Sequence, residues 1–292
     1  MNKHKYKGIV MAGGLGTRLH PITKGISKQL LPIYDKPMIF YSLSIFLLAK
    51  IKDITIVCNL EDEPVYRKLF GEGKEFGINI SYSIQNESDG IPHAINTALK
   101  SKDFDKFMVV LGDNFLYGRD FFNILSNDFF DEDKVTIYYQ KVKDPSAYGV
   151  IKWKDKIVND LIEKPTDFIS NDAVIGLYIF DSNFNNYFSN LNKSKRNEFE
   201  IVDLIKSYGL QNVKANYIGR GTAWFDMGSS EDFFNSSQFV KTIQDRQGLL
   251  VCSPHEVAFR NGWIQLEDIK KYIESIKGSE YAENLESTLA LK

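Results

Sequence analysis

Short apolar runs alternate with amphipathic stretches through the first half of the chain. Ile9–Ala12, Ile54–Asn59, Asn79–Ile84 and Phe107–Leu111 read as short, mostly buried strands. Between them, Met38–Lys50, Glu63–Phe70 and Pro92–Lys100 read as helices. That alternation implies a largely parallel sheet with helices on both faces. Ligands of such sheets bind beyond the carboxyl ends of the strands. The loops Gly13–Arg18, Gln85–Gly90 and Gly112–Asn114 are therefore expected to face one crevice.

The second half carries more strand and fewer clean repeats. Val135–Val142, Gly149–Trp153 and Ala173–Phe180 read as strands, followed by a helix near Phe199–Ser207. Ala215–Ile218 reads as a further strand and Glu231–Gln244 as a further helix. This half is expected to extend the same sheet on the substrate side. After Gln247 the pattern is mostly helical, with Leu266–Ile276 the clearest piece and a terminal helix or frayed end beyond it.

Composition narrows the class. Of the 292 residues 43% are hydrophobic and 25% charged, the profile of a folded chain with a sizeable core. A formal net charge of −2 argues against a general nucleic-acid binder, which needs a basic face. Met1–Lys7 is basic, but the apolar run after it is too short for a signal-peptide core. Pro37–Ala49 is apolar yet stops at Lys50, so no membrane span is expected. Cys58 and Cys252 share no short metal-ligand spacing and suggest reduced thiols, and the four histidines are scattered. A cytoplasmic protein is the resulting expectation.

The candidate chemistry begins at Gly13-Gly14-Leu15-Gly16-Thr17-Arg18, after the first apolar run. Glycines let backbone N–H groups come close to a ligand, and Arg18 adds a fixed charge with a planar donor fork. Such a loop can seat phosphate oxygens, although alone it reads equally well as an ordinary turn. It is not a dinucleotide fingerprint, because Leu19 stands where the third glycine belongs. Nor is it a P-loop, since no Gly-Lys-Ser/Thr follows. Lys28 lies between Ser27 and the Leu30-Leu31 pair and is either a placed cation or a solvated one. Asp113 ends the apolar run Met108–Leu111, as a metal ligand or as a turn residue. Asp226 is the natural second carboxylate for a magnesium ion, which takes one or two carboxylates plus substrate phosphates. Glu163-Lys164-Pro165 ends another strand-like segment and reads otherwise as an exposed ion pair.

Taken in order, Gly13–Arg18, Ser27-Lys28-Gln29-Leu30-Leu31-Pro32-Ile33-Tyr34-Asp35-Lys36-Pro37-Met38-Ile39, Val110–Asn114, Glu163–Pro165 and Trp224–Asp226 give a specific signature. The chain strongly resembles the glucose-1-phosphate thymidylyltransferases of the sugar nucleotidyltransferase superfamily. The resemblance runs on through Arg246–Gly248 and Glu256–Arg260, so it covers nearly the whole chain. It implies an α/β fold: a Rossmann-like, mostly parallel mixed sheet flanked by helices, with a helical C-terminal tail. Residues 1–245 would form the catalytic domain, with a nucleotide half to about 115 and a sugar half from 116, and 246–292 the tail. The implied reaction is magnesium-dependent, in-line attack of α-D-glucose 1-phosphate on the α-phosphorus of dTTP. Arg18 would hold the departing pyrophosphate, Lys28 the triphosphate side and Lys164 the sugar phosphate, with magnesium on Asp113 and Asp226. By the same resemblance the nucleotide would meet Met11, Gly13, Gly14, Gly16, Thr17, Gln29, Gln85, Gly90 and Ile91. The sugar side would comprise Asn114, Tyr148, Gly149, Glu163, Val174, Tyr178, Arg196 and Trp224. Read from residue type alone, Tyr178 and Trp224 are core aromatics. Family members are homotetramers with a second, regulatory nucleotide site, which Tyr117, Gly118, Arg220, Glu256 and Arg260 match.

The chain departs from the pattern at a few places. Ile91-Pro92-His93-Ala94 stands for the usual Leu-Ala-Gln-Ala beside the base, Asn197 for glycine, Thr222 for tyrosine and Arg119 for histidine. Pro92 is expected in the first turn of its helix, where its missing N–H is not needed. Alternatives are the same chemistry with UTP or another sugar 1-phosphate, a non-catalytic nucleotide-sugar sensor, and an NAD-dependent oxidoreductase.

Overall fold

A computed structural model describes residues 5–87, 89–99, 103–118, 121, 125 and 133–290. In chain order the first half forms β1 (Tyr6–Met11), the hairpin β2 (Pro32–Ile33) and β3 (Lys36–Pro37), α1 (Met38–Leu48), β4 (Asp53–Cys58), α2 (Glu63–Phe70), β5 (Asn79–Ile84), α3 (Ile91–Ala98), β6 (Lys106–Leu111) and β7 (Phe115–Tyr117). The second half adds β8 (Val135–Lys141), β9 (Gly149–Lys154), β10 (Ile157–Glu163), β11 (Asp172–Asp181), β12 (Val213–Tyr217) and β13 (Ala223–Phe225). Helices Phe184–Phe188, Ile201–Ser207 and Ser230–Gln247 lie between or after these strands. The tail is Pro254–Arg260, Leu266–Ser275 and Glu280–Ala290.

One nine-stranded sheet runs β10-β9-β11-β6-β1-β4-β5, with β8 on β11 and β12 on β8. The first-half strands are parallel: Ile9 lies opposite Thr55 of β4 and Val109 of β6. Their apolar runs are buried on both faces, as a parallel sheet covered by helices requires. The second half joins the same sheet largely antiparallel, with Tyr178 of β11 opposite Val109 of β6. The register of β11 on β8 breaks between Val174 and Tyr178. At that break the Gly176 carbonyl accepts a hydrogen bond from Asn114 Nδ2 at 3.2 Å, so the irregularity docks the loop that follows β6.

α1 is apolar all round because it is covered all round, by the sheet on one side and the tail on the other. Its Ser44 hydroxyl donates to the Phe40 carbonyl at 2.8 Å, so the polar atom stays satisfied. No helix among the described residues is long and apolar enough to cross a membrane. On the opposite face α3, Phe184–Phe188 and Ile201–Ser207 cover the second core around Phe107 and Phe180.

The tail packs through His255, which is 1% exposed. Its ring stacks on Tyr272 at 3.7 Å, and Nδ1 lies 3.1 Å from the Tyr281 hydroxyl. Burial pushes the His255 pKa below the ordinary imidazole value, and the Glu75 carboxylate 3.8 Å from Nε2 opposes this only partly. As pH falls through about 6.5, the unfolded imidazole binds a proton that the folded one resists, so stability falls. Urea denaturation at pH 7.5 and 5.5 is expected to show this loss, and His255→Phe to flatten it. An unchanged slope in the variant would place the loss elsewhere.

Candidate active site

The loop after β1 is shaped by what it must avoid. Gly16 sits at φ +60°, where a side chain is strained, and its carbonyl accepts the Thr23 hydroxyl at 2.8 Å. Lys28 opens a short 3₁₀ turn, Lys28–Leu30, and is 6% exposed. Its ammonium lies 2.8 Å from Asp113 Oδ2. A lysine this buried needs a partner, so the placed reading of Lys28 holds. The next residue, Gln29, accepts from the Ser27 hydroxyl at 2.9 Å, and that hydroxyl is 2.8 Å from Tyr66 OH.

Two adjoining chambers open at the carboxyl ends of β1, β5 and β6. One, of about 290 Å³, is lined by Met11, Gly13, Gly14, Gln29, Gln85, Gly90, Ile91 and Asp113 on one side. Glu163, Lys164 and Arg196 line its other side. The second chamber, of about 240 Å³, is lined by Gly14, Gly16, Thr17, Arg18, Lys28, Gln29, Asp113 and Gly228. Gly14, Gln29 and Asp113 are common to both. The three loops thus face one crevice, as strand order predicts.

At the Arg18 corner, a β-carbon on Gly228 would lie 3.2 Å from Arg18 Nη1 and 3.4 Å from Asp226 Oδ2. Guanidinium and carboxylate therefore share that corner. Tyr148 OH donates to Asp226 Oδ2 at 3.0 Å, and its ring lies 5.1 Å from that of Trp224. Trp224 Nε1 in turn donates to Asn114 Oδ1 at 2.6 Å. Asn114 is 2% exposed with both ends of its amide engaged, so it positions Trp224 and β11 from below.

On the far wall Arg196 forks onto Glu200 at 3.0 and 2.5 Å and approaches Glu163 to 3.6 Å. Lys164 Nζ lies 3.9 Å from Glu163, and burial pushes the Glu163 carboxyl above its ordinary range. Gly149 sits against Glu163 and Val174. Val174 and Tyr178 are buried beneath the cleft, and burial together with the charges of Glu163 and Asp113 raises the Tyr178 pKa.

At the other end Gly90 has φ +98°, and a β-carbon there would lie 2.2 Å from the Phe199 carbonyl oxygen. No other residue fits. Pro92 falls in the first turn of α3, as expected, so its missing N–H leaves no bond unmade. His93 Nδ1 is buried with no hydrogen-bond partner among the described residues, and its ring stacks at 6.4 Å on Phe199. Asn197, where glycine is usual, has φ +61°, a conformation asparagine tolerates better than most residues. Thr222 is buried and donates to the Ile218 carbonyl at 2.7 Å.

The residues matched to a regulatory site do not line this cleft. Tyr117 OH donates to Gln247 at 3.2 Å and feels the Glu256 charge, while Glu256 pairs with Arg260 at 2.7 Å. Gly118 packs against Gly221 and Thr222, next to the exposed Arg220. Arg119 and Lys100 lie outside the described residues.

Sequence reasoning did not single out Glu198, Phe199, Glu200 or Ile201, all of which line the cleft. Glu200 carried no local signal as the Arg196 partner, since residues 196–200 precede the helix Ile201–Ser207 and are not helical. For metal binding, no group of three or more His, Cys, Asp or Glu among the described residues could hold an ion. Asp113 lines the polar chamber, and Asp226 Oδ2 lies close behind Gly228, which lines the same chamber, so both offer carboxylate oxygen near it. That donor set fits an ion that keeps waters and completes its shell with substrate phosphate, as magnesium does.

The family model for "Nucleotidyl transferase" matches residues 7–243. A glucose-1-phosphate thymidylyltransferase of Xanthomonas campestris pv. campestris is 40% identical over 285 residues, covering 96% of this chain and 95% of that one. One of Neisseria meningitidis is 38% identical over 282 residues, covering 96% and 98%. Among solved structures, a UDP-glucose pyrophosphorylase complexed with UDP-glucose superposes with TM-score 0.70 at 27% identity, covering 82% of this chain and 99% of that one. The chain belongs to the nucleotidyl transferase family and, within it, to the glucose-1-phosphate thymidylyltransferases.

Proposed function

We propose that the protein transfers the thymidylyl group of dTTP to α-D-glucose 1-phosphate, releasing pyrophosphate and leaving dTDP-glucose. The observation that carries this reading is one crevice with the glycine loop, Lys28 and Arg18 on one side and Lys164 and Arg196 on the other. Two phosphorylated anions must meet there, and four cationic side chains offset their repulsion. A phosphate oxygen of the sugar phosphate forms the new bond to the α-phosphorus, and the bond to the bridging oxygen toward the β-phosphorus breaks. The electron pair leaves with pyrophosphate, which Arg18 neutralises. Lys28 holds the triphosphate, Lys164 and Arg196 the attacking phosphate, and Glu163 accepts from sugar hydroxyls. Positioning and charge do most of the work in phosphoryl transfer, and the same is expected here.

Asp113 and Asp226 would hold a magnesium ion, which when bound supplies charge neutralisation at the phosphates. Gln85 and the Gly90 backbone are assigned to the base edge. A thymine methyl is worth only about 1–3 kcal/mol of discrimination, so UTP is the natural competitor. The likeness to a UDP-glucose pyrophosphorylase and the Pro92-His93 departure favour testing it. Assembly as a homotetramer with a second nucleotide site around Tyr117, Arg220 and Glu256 belongs to the same reading. Sedimentation showing only monomer at micromolar concentration would remove that part.

The test is pyrophosphate release from dTTP, UTP and other nucleoside triphosphates crossed with several sugar 1-phosphates, with and without Mg²⁺. Magnesium-dependent release, fastest with dTTP and glucose 1-phosphate, is expected. Faster release with UTP would reassign the base, and no release with any pair would overturn the reaction.

A further inference from the structure

The segment that carries Arg196 is fastened at both ends to one residue outside it. At its start Lys193 Nζ lies 2.7 Å from Asp89 Oδ1. At its end the Phe199 N–H donates to the Asp89 carbonyl at 2.8 Å. Between these anchors the segment braces itself. The Ser194 N–H donates to the Glu198 carbonyl at 2.8 Å, the Ser194 hydroxyl to Glu200 at 2.6 Å, and Arg196 forks onto Glu200. The segment is thus internally braced, and Asp89 ties down both of its ends.

Asp89 is also the residue before Gly90, whose backbone presses on Phe199 at the base end of the cleft. The Lys193 and Asp89 side chains are 33% and 17% exposed, so solvent screens the pair less than a fully exposed one. Neither side chain lines the cleft, so any role in the reaction is one of positioning.

We propose that Asp89 and Lys193 form a clasp that positions Arg196 to receive the phosphate of the sugar 1-phosphate. The clasp rests on the nucleotidyl-transfer reading above. A side chain held in place before the substrate arrives need not be ordered on binding, so the clasp acts on the affinity for the sugar phosphate.

Initial rates with dTTP and glucose 1-phosphate both varied, on the full chain, test this. Asp89→Asn and Lys193→Met are each expected to raise the KM for glucose 1-phosphate about fivefold while leaving the KM for dTTP unchanged. The kcat at saturation and the thermal midpoint stay near wild type. The charge-reversed pair D89K/K193D restores the KM for glucose 1-phosphate, because the Asp89 backbone contact needs no particular side chain. An unchanged KM for glucose 1-phosphate in both single variants would overturn the clasp. So would variants that lower the thermal midpoint and kcat together without moving that KM, which is the signature of a purely structural pair. Failure of the reaction reading shows differently, as no pyrophosphate release from the wild type.

Discussion

Asp113→Asn is expected to lower kcat by about a hundredfold to a thousandfold, the cost of removing a fixed charge contact from a transition state. Asp113 stands two residues beyond the buried strand β6, lies on the wall common to both chambers, and is the partner of the buried Lys28 ammonium. Asparagine keeps the volume and one acceptor oxygen but removes the charge. Two consequences follow, one from the proposed magnesium pair and one from the Lys28 contact. The magnesium concentration for half-maximal rate rises, because Asp226 is left as the single carboxylate of the pair. Lys28 loses its counter-charge while still buried, so the triphosphate must hold it alone. Steady-state kinetics over a magnesium series reads both effects, with circular dichroism checking that the fold survives. A rate within about threefold of wild type would mean that Asp113 serves only as the counter-ion of Lys28, and the assigned ligand pair would fall.

Much of this site is written locally. Strands β1, β4 and β6 are legible because parallel strands buried on both faces read as apolar runs, and the edge strand β5 because polar and apolar residues alternate along it. Strand order then brings the glycine loop, Gln85 and Asp113 to one edge without any knowledge of side chains. β10 is only half legible, because its burial alternates imperfectly and its register slips between Val158 and Asp160. The helix Pro254–Arg260 had every local signal, with a Ser253 cap, a proline in the first turn and Glu256 after it, yet its place beside α1 is set by packing alone. Asn114 shows the limit most clearly. Its neighbours read as a strand-end turn, but its buried task, holding Trp224 and the Gly176 carbonyl, depends on segments far along the chain. The meeting of Asp89 with Lys193 and Phe199 is likewise non-local, and partly backbone to backbone. Neither residue type nor spacing announces it.

Lys36→Met is expected to cost about 3–5 kcal/mol of folding stability, because it strands a buried carboxylate. The Asp35 and Lys36 side chains are 0% and 1% exposed and lie 2.8 Å apart. Gln244 closes the ring: its Nε2 donates to Asp35 at 3.0 Å, and its Oε1 accepts the Val251 N–H at 3.0 Å and faces Lys36 at 3.5 Å. The ammonium also lies 4.5 Å over the Tyr41 ring and 5.7 Å over that of Tyr281. Burial pushes the Lys36 pKa down, and Asp35 pushes it back up. The hairpin β2–β3, which follows the Lys28 turn, is thereby tied to helix Ser230–Gln247 and to the tail. A buried pair adds little over apolar packing of similar volume, but breaking it leaves one buried charge without its counter-ion. Asp35→Leu with Lys36→Met together is therefore expected to cost less than either change alone. Urea denaturation of the two single variants and the double gives the coupling directly. Additive losses would mean that water reaches the pair in solution, and that the hairpin is held by its apolar contacts instead.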